Sequence, residues 1–242
     1  MSINSVIIQA RTASSRLPGK VLLPLDGAPV IEWIINKSKK CRLADSIIVA
    51  TTFHTRDDLI EEHALSAGVQ VYRGSEDDVL GRVYRAAEKA GADVVVRLTG
   101  DNPFVLPELI DAVIEPVRNG VAEYASNKIR RTLPLGVDAE AITMDLLRRI
   151  EECVGDPYHR EHALRYVRDN CDDYDVKNID RDDLFDGSNN MRYDTDLRLT
   201  LDEPRDYIMY KEIFDDMGGD KTLCLRDVIE YINNHDLREL NE

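Results

Sequence analysis

The chain has 242 residues, 43% of them hydrophobic, and a formal net charge of -15; a chain of this size can bury about 70 to 75% of its unfolded surface in a core that needs no staples. So acidic a balance excludes general nucleic-acid binding, which depends on neutralising phosphates, and no apolar run approaches the ~20 residues of a membrane-spanning helix. The four cysteines, Cys41, Cys153, Cys171 and Cys224, include no C-x-x-C pair, which suggests neither a zinc site nor a disulfide framework and points to a reducing cytoplasm.

The first half alternates apolar runs of strand length with helical patterns, beginning with a strand where a targeting segment would place a basic, apolar leader. Strands are expected at 5–10, 46–51, 69–73 and 93–98, and helices at about 29–40, 56–67, 77–90 and 107–118. This βα order implies an α/β fold, doubly wound in three layers on a mostly parallel sheet. In such sheets ligands bind beyond the carboxyl ends of the strands, where the segments 11–20 and "TGDNPF" (99–104) fall.

The second half is less regular. "EYASN" (123–127) and "GVDAEAI" (136–142) read as strands around the basic loop "KIRRTLP", followed by helices at about 143–153 and 159–169 and a strand near "YDVKNI" (174–179). Residues 172–196 hold nine Asp against three Lys or Arg and read as a solvated loop. "LRLTLD" (197–202) reads as a strand, "EPRDYIMYKEIFDDM" (203–217) as a helix, and a last helix covers about 225–233. No repeat or low-complexity linker demands a second domain.

An anionic ligand on so acidic a chain needs a local cationic site. Residues 1–40 supply one, six Lys or Arg against Asp26 and Glu32 giving +4 and leaving -19 for the remainder. The opening loop lacks G-x-G-x-x-G and the Walker pattern, so its side chains must do more of the binding. Arg11, Arg16 and Lys20, with Thr12, Ser14 and Ser15, suit a triphosphate: Arg offers a planar fork to phosphate oxygens, Lys a compact charge, and a strand-to-helix loop free N–H groups.

"ARTASSRLPGKVL" resembles the signature of cytidylyltransferases that activate acidic sugars, the ketodeoxyoctulosonate and acylneuraminate enzymes, and is most similar to their spore coat polysaccharide biosynthesis branch. Supporting stretches are "YRGSEDDVLGRVYRAA" (72–87), "RLTGDNPFV" (97–105), "LGVDAEAI" (135–142), "HREHALRYV" (159–167) and "RLTLDEPRDY" (198–207). The resemblance implies a fold of the nucleotide-diphospho-sugar transferase type. It also implies a magnesium-dependent transfer of CMP from CTP to a sugar-like acceptor, with pyrophosphate released, in surface polysaccharide or glycoconjugate assembly.

On this resemblance Ala10, Arg11, Ser14, Ser15, Arg16, Lys20, Ser75 and Arg82 are expected to bind nucleotide, with Arg11, Lys20 and Asp101 acting in catalysis. Asp101 and Asp202 are expected to hold Mg²⁺. Asp before Glu-Pro is equally a helix N-cap, which Asp202 would provide through its side chain. Asn127, Arg131, Asp138, Glu140, Arg160, Glu161 and His162 are expected on the acceptor side, Asp138 and Glu140 alternating on one strand face. The chain reads as one domain: a nucleotide-binding half (1–120), an acceptor-binding and dimerising region (121–200) and C-terminal helices (201–242). The competing readings are another nucleotidyltransferase or a glycosyltransferase on this fold, although D-x-D is absent at Asp101, and a catalytically silent nucleotide-binding protein. Expected partners are CTP and a sugar-like acceptor, with no nucleic acid and no membrane, and a homodimer is the expected oligomer.

Overall fold

The structure, a computed structural model, describes residues 2–185, 195–217 and 224–240. Strand β1 (Asn4–Gln9) leads through the opening loop to a two-stranded hairpin, β2 (Pro24–Leu25) and β3 (Ala28–Pro29), and helix α1 (Val30–Ser38). Then follow β4 (Ser46–Thr52), α2 (Asp58–Ser66), β5 (Gln70–Gly74), α3 (Val79–Ala90), β6 (Val94–Thr99) and α4 (Pro107–Arg118). The second half adds β7 (Tyr124–Ser126), β8 (Glu140–Thr143), α5 (Met144–Cys153), α6 (Pro157–Glu161), α7 (Arg165–Asp169), β9 (Val176–Asn178) and α8 (Arg181–Leu184). Helices α9 (Pro204–Met217) and α10 (Leu225–Asn234) follow, with a short 3-10 turn (Leu237–Leu240) after them. None of these helices is long and apolar enough to cross a membrane.

Among the described residues the main sheet has seven strands in the order β5-β4-β1-β6-β8-β7-β9. Only β8 runs antiparallel to its neighbours. Period-two alternation explains the layering. In β1, Val6 and Ile8 face the apolar cluster formed with α1, α4, α9 and α10, while Ile7 faces the one formed with α3 and α5. In β6, Val94, Val96 and Leu98 take the first side and Val95 the second. Helices thus cover both faces, as the sequence predicts.

From β1 the chain runs outward to β4 and β5, then returns to place β6 on the other side of β1. The topological switch point therefore lies between the carboxyl ends of β1 and β6, where a crevice opens. Gly100 allows those ends to meet: its N–H donates to Gln9 O at 2.8 Å, and a Cβ there would stand 2.8 Å from that of Ala10.

Four sequence expectations are corrected. "LRLTLD" buries Leu197, Leu199 and Leu201 as alternation requires, but it makes only a bridge, Leu135 to Arg198, and is no regular strand. It lies so close to the chain at Gly136 (φ +100°) that a Cβ there would be 2.0 Å from Leu199 O. β8 starts at Glu140, so Asp138 belongs to the preceding loop and the two do not share a strand face. The helix expected over 159–169 is broken into α6 and α7, with Ala163 between them at φ +48°. The acidic stretch is not all loop: β9 and α8 lie within its described part, 172–185 and 195–196, while 186–194 lie outside the described residues. The hairpin is an addition: its Asp26-Gly27 pair, both at positive φ, supplies the turn that matches strand twist.

Candidate active site

The crevice is a cavity of about 310 Å³ lined by the opening loop, the β6 end and parts of α3 and α6. It brings together Ala10, Arg11, Ser14, Ser15, Arg16 and Lys20 with Arg82, Asp101, Glu161, His162 and Asp202, all expected from the sequence.

Lys20 is the hub. It opens a short 3-10 turn behind Gly19, whose φ of +72° is easy for glycine alone. Its ammonium lies 2.5 Å from Asp101 Oδ2 and 2.7 Å from Asp202 Oδ1. Burial opposes its charge, but Asp101 and then Asp202 outweigh that and hold its pKa above the ordinary lysine value. For Asp202, burial likewise opposes ionisation and Lys20 prevails, keeping the carboxyl below its ordinary value. The other Asp202 oxygen faces Arg16 at 3.3 Å.

The Asp202 side chain is therefore turned to the cavity and away from α9. The backbone N–H groups of Asp202 and Glu203 are instead taken by the buried Asp206 carboxylate, each at 2.8 Å. This corrects the capping expectation. Closing the helix start falls to Asp206, whose second oxygen holds Arg198 at 2.6 Å.

Two further cations face the cavity. Arg11 donates to Glu76 O at 3.1 Å and pairs with Glu161 at 3.2 Å. Arg82 is 3% exposed; its Nη1 donates to the carbonyls of Ser75 and Glu76, and its Nε is buried without a partner. Burial and the neighbouring Arg11 push its pKa down to about 10. A buried guanidinium without a paired carboxylate costs stability, and the cost is offset where an anion is bound.

A second cavity of about 180 Å³ shares Arg97, Thr99 and Asp101 with the first and adds Asn102, Lys128, Asp138, Glu140 and Thr200. Behind it Glu140, 1% exposed, accepts from Arg97 at 2.5 Å and from Tyr124 OH at 2.6 Å, and also pairs with Arg168. Lys128 stands 3.5 Å away. Burial would neutralise Glu140, but Lys128, Arg97 and Arg168 together hold it far below the carboxylate range. Burial lowers the pKa of Lys128 despite Glu140.

Four expected residues line neither cavity. Asn127 is buried, donating to Val137 O at 2.6 Å and accepting from Ala139 N at 3.1 Å, so it shapes the turn before β8. Arg131 holds Asp138 at 2.8 Å. Both Arg160 nitrogens facing Asp78 bond it at 2.8 Å, and the third donates to the Glu151 and Val154 carbonyls, so its fork ties α6 to α3 and α5. Ser75 uses its carbonyl on Arg82 and its hydroxyl on Asp78 N. Sequence reasoning singled out neither Arg97 nor Asn102 as a site residue, although both lie in "RLTGDNPFV"; an arginine inside the apolar run "DVVVRL" was a further signal.

Residues 5–221 match the cytidylyltransferase family model. Spore coat polysaccharide biosynthesis protein SpsF of Bacillus subtilis (strain 168) is 32% identical over 95% of this chain and 93% of its own. A cytidylyltransferase structure from Leptospira borgpetersenii is 31% identical with a TM-score of 0.88, covering 98% of this chain and 96% of that one. A CMP:2-keto-3-deoxy-manno-octonic acid synthetase complexed with CTP shares the fold at a TM-score of 0.67 and 16% identity, over 89% of this chain and all of its own. With a family match over nearly the whole chain and relatives of this extent, the protein belongs to the cytidylyltransferase family.

Proposed function

We propose that the protein transfers CMP from CTP to a hydroxyl of a sugar-type acceptor, releasing pyrophosphate, in the assembly of a surface polysaccharide or related glycoconjugate. One observation carries this reading. At the β1/β6 switch point the Arg11, Arg82 and Lys20 cations share a single cavity with the Asp101 and Asp202 carboxylates. The names of SpsF and of the CTP-bound fold neighbour support the sugar and the nucleotide.

The opening loop would hold the triphosphate. Arg11 and Arg82 take its oxygens, and Lys20 offsets charge as the bond from the α-phosphorus to the bridging oxygen breaks. Asp101 and Asp202 both reach the Lys20 ammonium and so lie close together, offering a donor set of hard oxygens. Among the described residues no cluster of three or more His, Cys, Asp or Glu is placed to hold a metal. That fits Mg²⁺, which uses one or two carboxylates and completes its shell with water and substrate phosphates. Bound there, Mg²⁺ supplies charge compensation for the transferring phosphoryl group. The second cavity, sharing Asp101, is the acceptor side. Asn102 and Asp138 offer hydrogen bonds to hydroxyls, while Lys128 and Arg97 make the wall cationic.

The test is pyrophosphate release with CTP, ATP, GTP and UTP in turn. The acceptor panel comprises neutral hexoses, hexose 1-phosphates, 3-deoxy-manno-octulosonate and N-acetylneuraminate, each with and without Mg²⁺. The reading requires release with CTP, dependent on an acceptor and on Mg²⁺. Equal release with all four nucleotides removes the cytidine assignment.

A further inference from the structure

An attacking hydroxyl must lose a proton, and the ionisable groups lining the crevice are unequal to accepting it. Arg11, Arg16, Arg82, Arg97 and Lys20 are donors only. Asp101 and Asp202 hold the Lys20 ammonium, and Glu161 holds Arg11; in the adjoining acceptor cavity Asp138 holds Arg131, and Glu140 holds Arg97, Arg168 and Lys128. His162 remains. Neither of its ring nitrogens has a hydrogen-bond partner among the described residues, and its ring is steadied edge-to-face by Tyr158, with centroids 4.4 Å apart.

Its placement is specifically built. The sequence pattern would carry one helix through 159–169, yet the chain leaves the helix at His162 and passes through Ala163 at φ +48°, a left-handed conformation that costs a non-glycine residue about 1 kcal/mol or more. Ala163 and Leu164 are fully buried in the core against α3 and α5, which fixes the break. His162 then lines the crevice together with Arg97, and Arg97 also lines the acceptor cavity.

We infer that His162 is the general base of the transfer, taking the proton from the acceptor hydroxyl as that oxygen attacks the α-phosphorus. The inference rests on the transferase reading above and adds a residue to it. The acceptor O–H bond breaks toward a ring nitrogen of His162, the oxygen–phosphorus bond forms, and the bond to the bridging oxygen breaks to release pyrophosphate. The imidazolium then returns its proton to solvent. The charged groups facing the ring suit the role. Partial burial of the ring lowers its pKa, Glu161 opposes this, and Arg165, Arg97 and Arg168 reinforce it, which favours the neutral, proton-accepting form.

The test uses full-length parent, His162→Gln and His162→Ala, with the panel acceptor giving the fastest CTP-dependent release. The side chain is exposed, so both variants should fold as the parent does. CTP affinity by calorimetry should stay within about threefold, while kcat falls about 100-fold or more, the range of a lost general base. The acidic limb of kcat/KM should disappear in both variants, and added imidazole should restore turnover in His162→Ala. A Gln variant keeping more than half the parental kcat and its acidic limb overturns the inference. So does a loss confined to CTP affinity. A parent that releases no pyrophosphate from CTP with any panel acceptor overturns the transferase reading beneath it.

Discussion

Asp57 Oδ1 accepts both the backbone N–H and the hydroxyl of Thr12, at 2.8 and 2.6 Å. The Thr12 carbonyl in turn accepts from Ser14 N and Gly19 N, at 2.9 and 2.8 Å. A fully buried carboxylate just before α2 thus sets the course of the opening loop, and Thr52 OH completes its shell.

Asp57→Ala should therefore lose about 2 to 3 kcal/mol of stability, because it leaves buried donors unpaired, and should weaken CTP binding about tenfold. Asp57→Asn keeps the oxygen facing Thr12 and should recover most of the affinity. Burial raises the Asp57 pKa, but the Thr12 and Thr52 donors outweigh it and hold the folded value low. Its contribution is then present above the unfolded carboxylate pKa and lost as pH falls through the folded one. Denaturant midpoints and calorimetry check this.

Asp202 and Asp206 should separate cleanly. Asp202→Asn should lose most turnover, with little change in the denaturant midpoint, since its side chain does not cap α9. Asp206→Ala should lower stability by about 1 to 3 kcal/mol, because Asp202 N, Glu203 N and Arg198 lose their acceptor. Equal midpoint losses in the two variants would return a capping role to Asp202.

Lys20→Met leaves Asp101 and Asp202 without their shared counter-ion and should weaken CTP binding about tenfold or more. Lys20→Arg should not restore turnover, because a planar fork cannot replace a point charge held 2.5 and 2.7 Å from two carboxylates. The folded Lys20 pKa is raised, so its stabilisation is complete below the unfolded lysine value and disappears only as pH rises through the folded one. Titration calorimetry with CTP at pH 7.5 tests the binding loss.

Glu140 should make the fold sensitive to acid, because burial opposes its charge and Lys128, Arg97 and Arg168 hold it ionised. Removing its charge strands Arg97, Arg168 and Lys128, so Glu140→Gln should cost about 3 to 5 kcal/mol. Because the folded pKa lies below the unfolded one, the parental contribution is full above the unfolded pKa and declines as pH falls toward the folded value. Glu140→Gln should flatten the acid side of a stability-against-pH curve. An unchanged curve would place the acid sensitivity elsewhere.

The opening strands and loop were legible because their signals are local. Runs such as Val6-Ile7-Ile8 and Val94-Val95-Val96 mark strands buried on both faces, and the cations of the opening loop lie within ten residues of one another. The pairings that hold the site's side chains are long-range. Arg97 meets Glu140 across 43 residues and Asp57 meets Thr12 across 45, and no spacing rule links them. The alternating leucines of 197–202 correctly marked burial but not pairing, since the same period serves an extended segment held by one bridge. The break at Ala163 was hidden because alanine is the best helix former and tertiary packing overrode it.

The most direct measurement follows the label from CTP carrying ³²P at either the α or the γ position, with the panel acceptors and Mg²⁺. The account predicts that α-label moves to the acceptor product in step with γ-label appearing as pyrophosphate. Label from the γ position on the acceptor, or α-label remaining in CTP while a different nucleotide is consumed, would contradict cytidylyl transfer at this crevice.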